Sequence, residues 1–235
     1  MPFRVLDALG EGVTLTLSRN GLMLVLASYV LSAVSVLFLP IRTDPTVRTG
    51  ASLTRSPVIG DSVALGALVT LVTGILSLYV AVVAYRTFVS GETDRLPADA
   101  VSRRPLWALA NVFLGYLVFG ILVGIGIVLL IIPGLFLLVA LWFFDVYVAV
   151  EDESFVDALG SSWALTSGNR LRLFFLGVLV VIFTAVLEGI FAIPAAVLGD
   201  VPGLLVRQLG TSVGTVLAYA TTAAAYVQLR ESNPF

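Results

Sequence analysis

The sequence predicts an all-α integral membrane protein: six transmembrane helices, two interfacial amphipathic helices and a parallel internal repeat. Three observations lead there. Hydrophobic residues make up 59% of the 235 positions and charged residues 12%, with a mean hydropathy of +1.06; a soluble domain holds about 45–50% apolar and about 25% charged residues. Apolar runs close to the ~20 residues that a spanning helix needs recur along the chain, parted by short polar links. Two polar-marked segments carry apolar residues at helical spacing on one side only.

The composition also excludes chemistry. There is no Cys and no His, which removes disulfides, thiolate nucleophiles, imidazole bases and the usual zinc and haem ligands. Ser-His-Asp and Ser-Lys arrangements lack a base, and no paired intramembrane carboxylates stand at helical spacing. The sequence therefore predicts no enzyme, no catalytic residue, no cofactor and no metal. All 13 basic residues are Arg, and the net charge of −2 with a pI near 5.1 gives no support to nucleic-acid binding. The lack of Lys fits a GC-rich, archaeal-like or salt-adapted composition, and codon bias explains it equally well.

In chain order, residues 1–20 form the first amphipathic helix. Asp7 and Glu11 interrupt its apolar character, which argues against a signal peptide. Residues 21–39 are the first span, closed by Pro40. Residues 41–60, with Arg42, Asp44, Arg48, Arg55 and two prolines, read as a solvated loop. Residues 62–89 are the second span, with Gly66, Thr70 and Gly74 as a small-residue stripe for close helix packing. After a second polar loop, residues 106–132 and 135–150 form a hairpin turning at Pro133-Gly134; either its short second arm reaches only partway, or the turn sits below the far headgroups, shielded by neighbouring helices.

Residues 153–168 are the second amphipathic helix, with Ser154 and Asp157 set as a capping box and Gly168 at its stop. Phe155, Leu159 and Trp163 are its interfacial anchors. Residues 171–198, ending near Pro194, and 203–229 complete the six. In the last, Gly210, Gly214, Ala218 and Thr222 form another stripe.

Val5, Leu6, Leu9 and Val13 stand 150 positions before Phe155, Val156, Leu159 and Trp163; Asp7-Ala8-Leu9-Gly10 returns as Asp157-Ala158-Leu159-Gly160. That constant offset is the repeat signal. Arginine placement orients the chain. With the N-terminus inside, Arg4, Arg19, Arg86, Arg95, Arg103, Arg104, Arg170, Arg172 and Arg230 are cytoplasmic, against Arg42, Arg48, Arg55 and Arg207 outside. Both termini then lie in the cytoplasm of a cell whose plasma membrane holds the protein, and the repeats run parallel.

Ile132-Pro133-Gly134-Leu135, the acidic Glu151-Asp152-Glu153, Asp157-Ala158-Leu159, Ser162-Trp163 and Gly168-Asn169-Arg170 occur in order. Over roughly 130–175 this pattern resembles the membrane domain attached to some glycerophosphodiester phosphodiesterases and to related multi-pass proteins. The resemblance implies a six-helix membrane fold without the catalytic domain, and no enzymatic residue carries over.

Ionisable groups within apolar runs are functional candidates. Arg86, Asn111 and Asp145 share a depth near the cytoplasmic side and form one candidate polar cluster: a vestibule for an ion or headgroup, or an Arg86–Asp145 pair pinning three helices. Glu188, 18 residues past Arg170 or about 27 Å along a helix, is an outer-side carboxylate. These features predict a scaffold, accessory or lipid-organising role with membrane lipids, a protein partner or a second copy as its contacts. A small-solute or lipid transporter or channel is the alternative.

Overall fold

The computed structural model describes residues 3–38 and 62–232. Among them all regular structure is helical, in ten elements: α1 (Val5–Leu17), α2 (Arg19–Phe38), α3 (Val63–Val89), α4 (Ala98–Ser102), α5 (Pro105–Leu129), α6 (Ile131–Ala140), α7 (Phe144–Val150), α8 (Phe155–Thr166), α9 (Arg170–Leu198) and α10 (Asp200–Ser232). Pro40 and the 41–60 link, with Arg42, Arg48 and Arg55, lie outside the described residues.

Five segments are long and apolar enough to cross a membrane: Arg19–Phe38, Val63–Val89, Pro105–Leu129, Ile131–Val150 and Arg170–Leu198. α10 is not among them, although much of it lies inside the bundle. Its residues Ala220 to Tyr226 are buried without interruption, and it is packed by α1, α2, α3 and α9. A helix surrounded by other helices does not need side chains that dissolve in lipid, so Thr, Ser, Gly and Ala replace the Leu and Ile of the outer helices.

The core sits towards one end. On α3, Ala81 to Phe88 are all buried, whereas from Val63 to Val80 only Gly66 and Thr73 are. Phe143 to Ala149 and Val216 to Leu229 supply the rest of the packed end. Both described ends of the chain meet there: the Arg4 N–H donates to the Gln228 side chain at 3.4 Å, and Arg172 donates to the Phe3 carbonyl at 3.5 Å.

Several boundaries differ from the sequence expectation. The hairpin turns at Leu130, which is extended (φ −159°, ψ 136°), not at Pro133-Gly134. Had α5 run on, the Pro133 ring would have met the carbonyl four residues back; breaking at Leu130 leaves Pro133 in the first turn of α6, where a missing N–H is harmless. Gly134 then touches Gly126 of α5, an approach that any side chain would block. Pro194 does not end α9, which runs on to Leu198 and stops at Gly199, φ 61°. In the first stripe Gly66 is buried but Gly74 faces open space, Thr73 taking its place. The second stripe does pack: Gly210 lies on Phe191 and Gly214 on Thr184, both of α9.

The two short helices share a packing pattern. α1 buries Ala8, Gly12, Leu15 and Thr16, and α8 buries Ala158, Ser162, Leu165 and Thr166, each pair 150 positions apart. Gly12 rests on Thr221 of α10, so closely that a Cβ would overlap its backbone. Ser162 instead accepts the Phe143 N–H at 3.0 Å and donates to the Ala140 carbonyl at 3.1 Å. Gly12→Ala should therefore destabilise by about 1–3 kcal/mol through overpacking. Gly10→Ala, with nothing within 4 Å of its added carbon, should stabilise by about 0.5–1 kcal/mol. Thermal unfolding of the two variants in detergent should shift in opposite directions.

Candidate functional site

The polar residues of the packed end form three separate groups, and the largest is built on the acidic link between α7 and α8. Arg86 comes from the last turn of α3 and is buried. Its Nε donates to the Ala149 carbonyl at 2.6 Å and its Nη1 to the carbonyls of Arg103 (2.7 Å) and Ala100 (3.2 Å). Its Nη2 meets the Asp152 carboxylate at 3.3 Å. The other oxygen of Asp152 takes Arg103 Nε at 3.0 Å, and Arg103 also donates to the Val150 carbonyl. Trp107 at the start of α5 donates its indole N–H to the Asp152 carbonyl at 3.3 Å. Asp152 itself is left-handed, φ 55°, an uncommon conformation that Asp tolerates better than most residues. One residue earlier, Glu151 Oε1 accepts from Tyr226 (2.9 Å) and Arg230 (3.1 Å) of α10. Two adjacent carboxylates thus join α3, the α4–α5 segment and α10 through charge-assisted bonds.

The second group surrounds Asp145 on α7. Its Oδ2 accepts from Tyr85 of α3 and Tyr116 of α5, both at 2.8 Å, and its Oδ1 accepts the Val146 N–H at 2.9 Å. Tyr219 of α10 stands edge-on to Tyr85 at 5.3 Å. The carboxylate is 5% exposed and among the described residues forms no ion pair. The third group is Asn111 of α5, whose Oδ1 accepts the Phe155 N–H at 2.9 Å while its Nδ2 donates to the Trp107 carbonyl at 3.0 Å. Asn111 satisfies a free donor at the α8 N-terminus.

The expected single cluster of Arg86, Asn111 and Asp145 is thus divided, and Arg86 does not pair with Asp145. Depth along each helix was readable from the sequence; the direction each side chain faces around its helix was not. Sequence reasoning missed Asp152 and Glu151 as the hub, and Tyr85 and Tyr116, which sit inside apolar runs like packing residues. The acidic run 151–153 opposite the Arg103-Arg104 pair was the available signal. Glu188 is exposed on α9, Phe155 and Leu159 are half-buried, and Trp163 is 42% exposed. The Arg170 guanidinium lies 4.4 Å from the Trp163 ring and 4.6 Å from that of Phe136, a cation–π arrangement that fixes the α8–α9 corner.

Chemically, the arrangement offers phenols, carboxylates and guanidinium groups. Among the described residues no three His, Cys, Asp or Glu side chains gather as a metal site. A polar recess of about 180 Å³ lies beside Arg86, Ser90, Asp99 and Arg103, and an apolar groove of about 440 Å³ lies between α2 and α3, lined by Met23, Leu26, Val30, Leu76 and Tyr79.

Over residues 3–229 the chain matches a family described as a domain of unknown function (DUF7847), and it belongs to that family. No curated protein and no solved structure matches it.

The geometry separates two double-mutant cycles. Arg86→Met with Asp152→Asn should show a coupling above about 1 kcal/mol, because each change removes the other side chain's ionic partner. Arg86→Met with Asp145→Asn should be additive within about 0.5 kcal/mol, since the two share no partner. Unfolding in detergent measures both.

Proposed function

We propose that the protein is a non-catalytic membrane scaffold or accessory protein that organises lipid headgroups or a partner at the cytoplasmic face. It does so through α1 and α8, two interfacial helices descended from a parallel repeat. In this reading α10 is the sixth membrane helix, both termini are cytoplasmic and the plasma membrane is its site. Kinship with the membrane domain of glycerophosphodiester phosphodiesterases belongs to the same proposal.

The observation that carries it is the matched burial of α1 and α8. At a constant offset of 150 the same positions turn inward, while Leu6 (72% exposed) and Val156 (61%) face out beside the exposed Asp7 and Asp157. An apolar edge next to a polar edge suits the boundary between acyl chains and headgroups. The α1 helix is bolted to α10 and the α8 helix to α7, so both edges are presented by a rigid support.

The transporter alternative draws on Asp145, an intramembrane carboxylate. Against a vestibule that uses Arg86, all three nitrogens of that guanidinium already bond to the protein.

Replacing the outward Leu6 and Val156, 72 and 61% exposed, with Ser should sharply reduce the lipid or protein that co-purifies from native membrane, while the melting temperature changes little. Cysteine at Thr49 should react with an impermeant reagent from outside and cysteine at Thr93 should not. Purified protein in liposomes that moved a solute or cleaved a lipid would overturn the proposal.

A further inference from the structure

The α5–α6 hairpin ends in a turn made wholly of exposed aliphatic side chains. From Leu117 to Phe144, 28 consecutive residues contain no side chain able to hydrogen-bond except the Trp142 indole. The turn falls in the middle of that run. Its residues Val128, Leu129, Leu130, Ile131 and Ile132 are 86, 72, 67, 67 and 80% exposed. A turn that emerges into water exposes polar side chains and does not gather five branched aliphatic ones. The neighbouring connections are polar in sequence. α9 and α10 are joined through Gly199-Asp200, with Arg207 and Gln208 two turns on, and the sequence between α2 and α3 holds Arg42, Asp44, Arg48 and Arg55.

Both feet of the hairpin stand at the packed end, where Trp107 and Val150 are tied to the same Asp152–Arg103 network. The returning arm, Ile131–Val150, has 20 residues. Fully helical it would just match the hydrocarbon layer of about 30 Å, as the unbroken α2 does, but it is split into α6 and α7 at Leu141–Phe143, and that break shortens its reach. Pro105–Leu129 is longer and is matched to that depth by tilting. Part of the backbone at the tip is bonded internally: the Leu130 N–H donates to the Gly126 carbonyl at 3.0 Å and the Gly134 N–H to the Leu130 carbonyl at 3.4 Å. The Gly126–Gly134 contact holds the two arms against each other just below the tip.

We infer that the α5–α6 hairpin is re-entrant: its tip, Val128–Ile132, ends inside the bilayer and docks onto lipid acyl chains of the far leaflet instead of crossing into the far aqueous phase. The inference rests on the membrane reading above and extends it, because two of the six membrane helices then enter and leave from one side. The placement of the termini is unchanged. The feature gives the protein a deep hydrocarbon contact to complement the headgroup contacts of α1 and α8.

The chain has no natural cysteine, so single-cysteine variants of the full-length protein test this directly. Leu130→Cys, Ile131→Cys, Val201→Cys and Thr93→Cys are reconstituted in phosphatidylcholine liposomes. Each is exposed to an impermeant maleimide before and after permeabilisation, and total thiol is read after denaturation. Val201→Cys and Thr93→Cys should label once both sides are reachable. Leu130→Cys and Ile131→Cys should react at least about tenfold more slowly from either side, because hydrocarbon suppresses the reactive thiolate. A fluorophore placed at position 130 should be quenched more by nitroxides midway along the acyl chain than by nitroxides at the headgroup. Labelling of Leu130→Cys as fast as Val201→Cys overturns the inference, and so does a shielded cysteine that no lipid nitroxide quenches, which would mean that a second copy covers the tip. Failure of Val201→Cys or Thr93→Cys to label would instead strike at the membrane reading on which it rests.

Discussion

The fold depends on the ion pair between Arg86 and Asp152. An arginine enclosed at the end of a long apolar helix is tolerable only if every face of its guanidinium is met, and here three carbonyls and one carboxylate meet it. Those acceptors come from the end of α7, from α4 and the residue after it, and from the link to α8. Satisfying one side chain therefore fixes where three stretches of chain pass one another. Asp152 is held in turn by Arg103, and its neighbour Glu151 reaches α10. Two successive residues thus tie α3 and the α4–α5 segment of the first half to α10 of the second.

Away from that end, packing rests on small residues. In lipid the apolar side chains gain nothing by leaving their surroundings for each other, so helices associate where backbones can approach closely. Gly12 on Thr221, Gly115 on Phe144, Gly126 on Gly134 and Gly210 on Phe191 are such approaches. Each brings two helices together at a glycine. The division of labour is physical: charged and phenolic groups define one end, and glycines set the spacing along the rest.

Much of the architecture was legible in the sequence because bilayer thickness imposes a length on apolar runs. The segments around α2, α3, α5 and α9 were readable to within a few residues for that reason. The turn at Leu130 was not, because a proline's lack of an N–H suits it equally to the end of one helix and to the first turn of the next. Small residues were read as stripes of four-residue spacing, yet Thr73 packs in place of Gly74, since a helix of 3.6 residues per turn drifts off a strict four-residue row. The inward faces of α1 and α8 went unseen because Ala8, Gly12, Ala158 and Ser162 are weak hydrophobes. The eye follows Leu6, Val156 and Trp163, which the structure turns outward. The candidate site was legible residue by residue and not as a constellation: Arg86, Asn111 and Asp145 all have specific polar partners, and none of those partners is another member of the three.

The central claim is that the Glu151-Asp152 link holds α3, the α4–α5 segment and α7 together as one cooperative unit. Backbone hydrogen exchange, followed by mass spectrometry on the wild type and on Asp152→Asn in detergent micelles, tests it most directly. The account predicts that the substitution raises exchange together in residues 81–89, 98–104 and 144–155 and leaves 203–215 unchanged, because these segments share one set of bonds and open as one unit. A rise confined to residues 150–154, with α3 and the α4–α5 segment as protected as before, would contradict it.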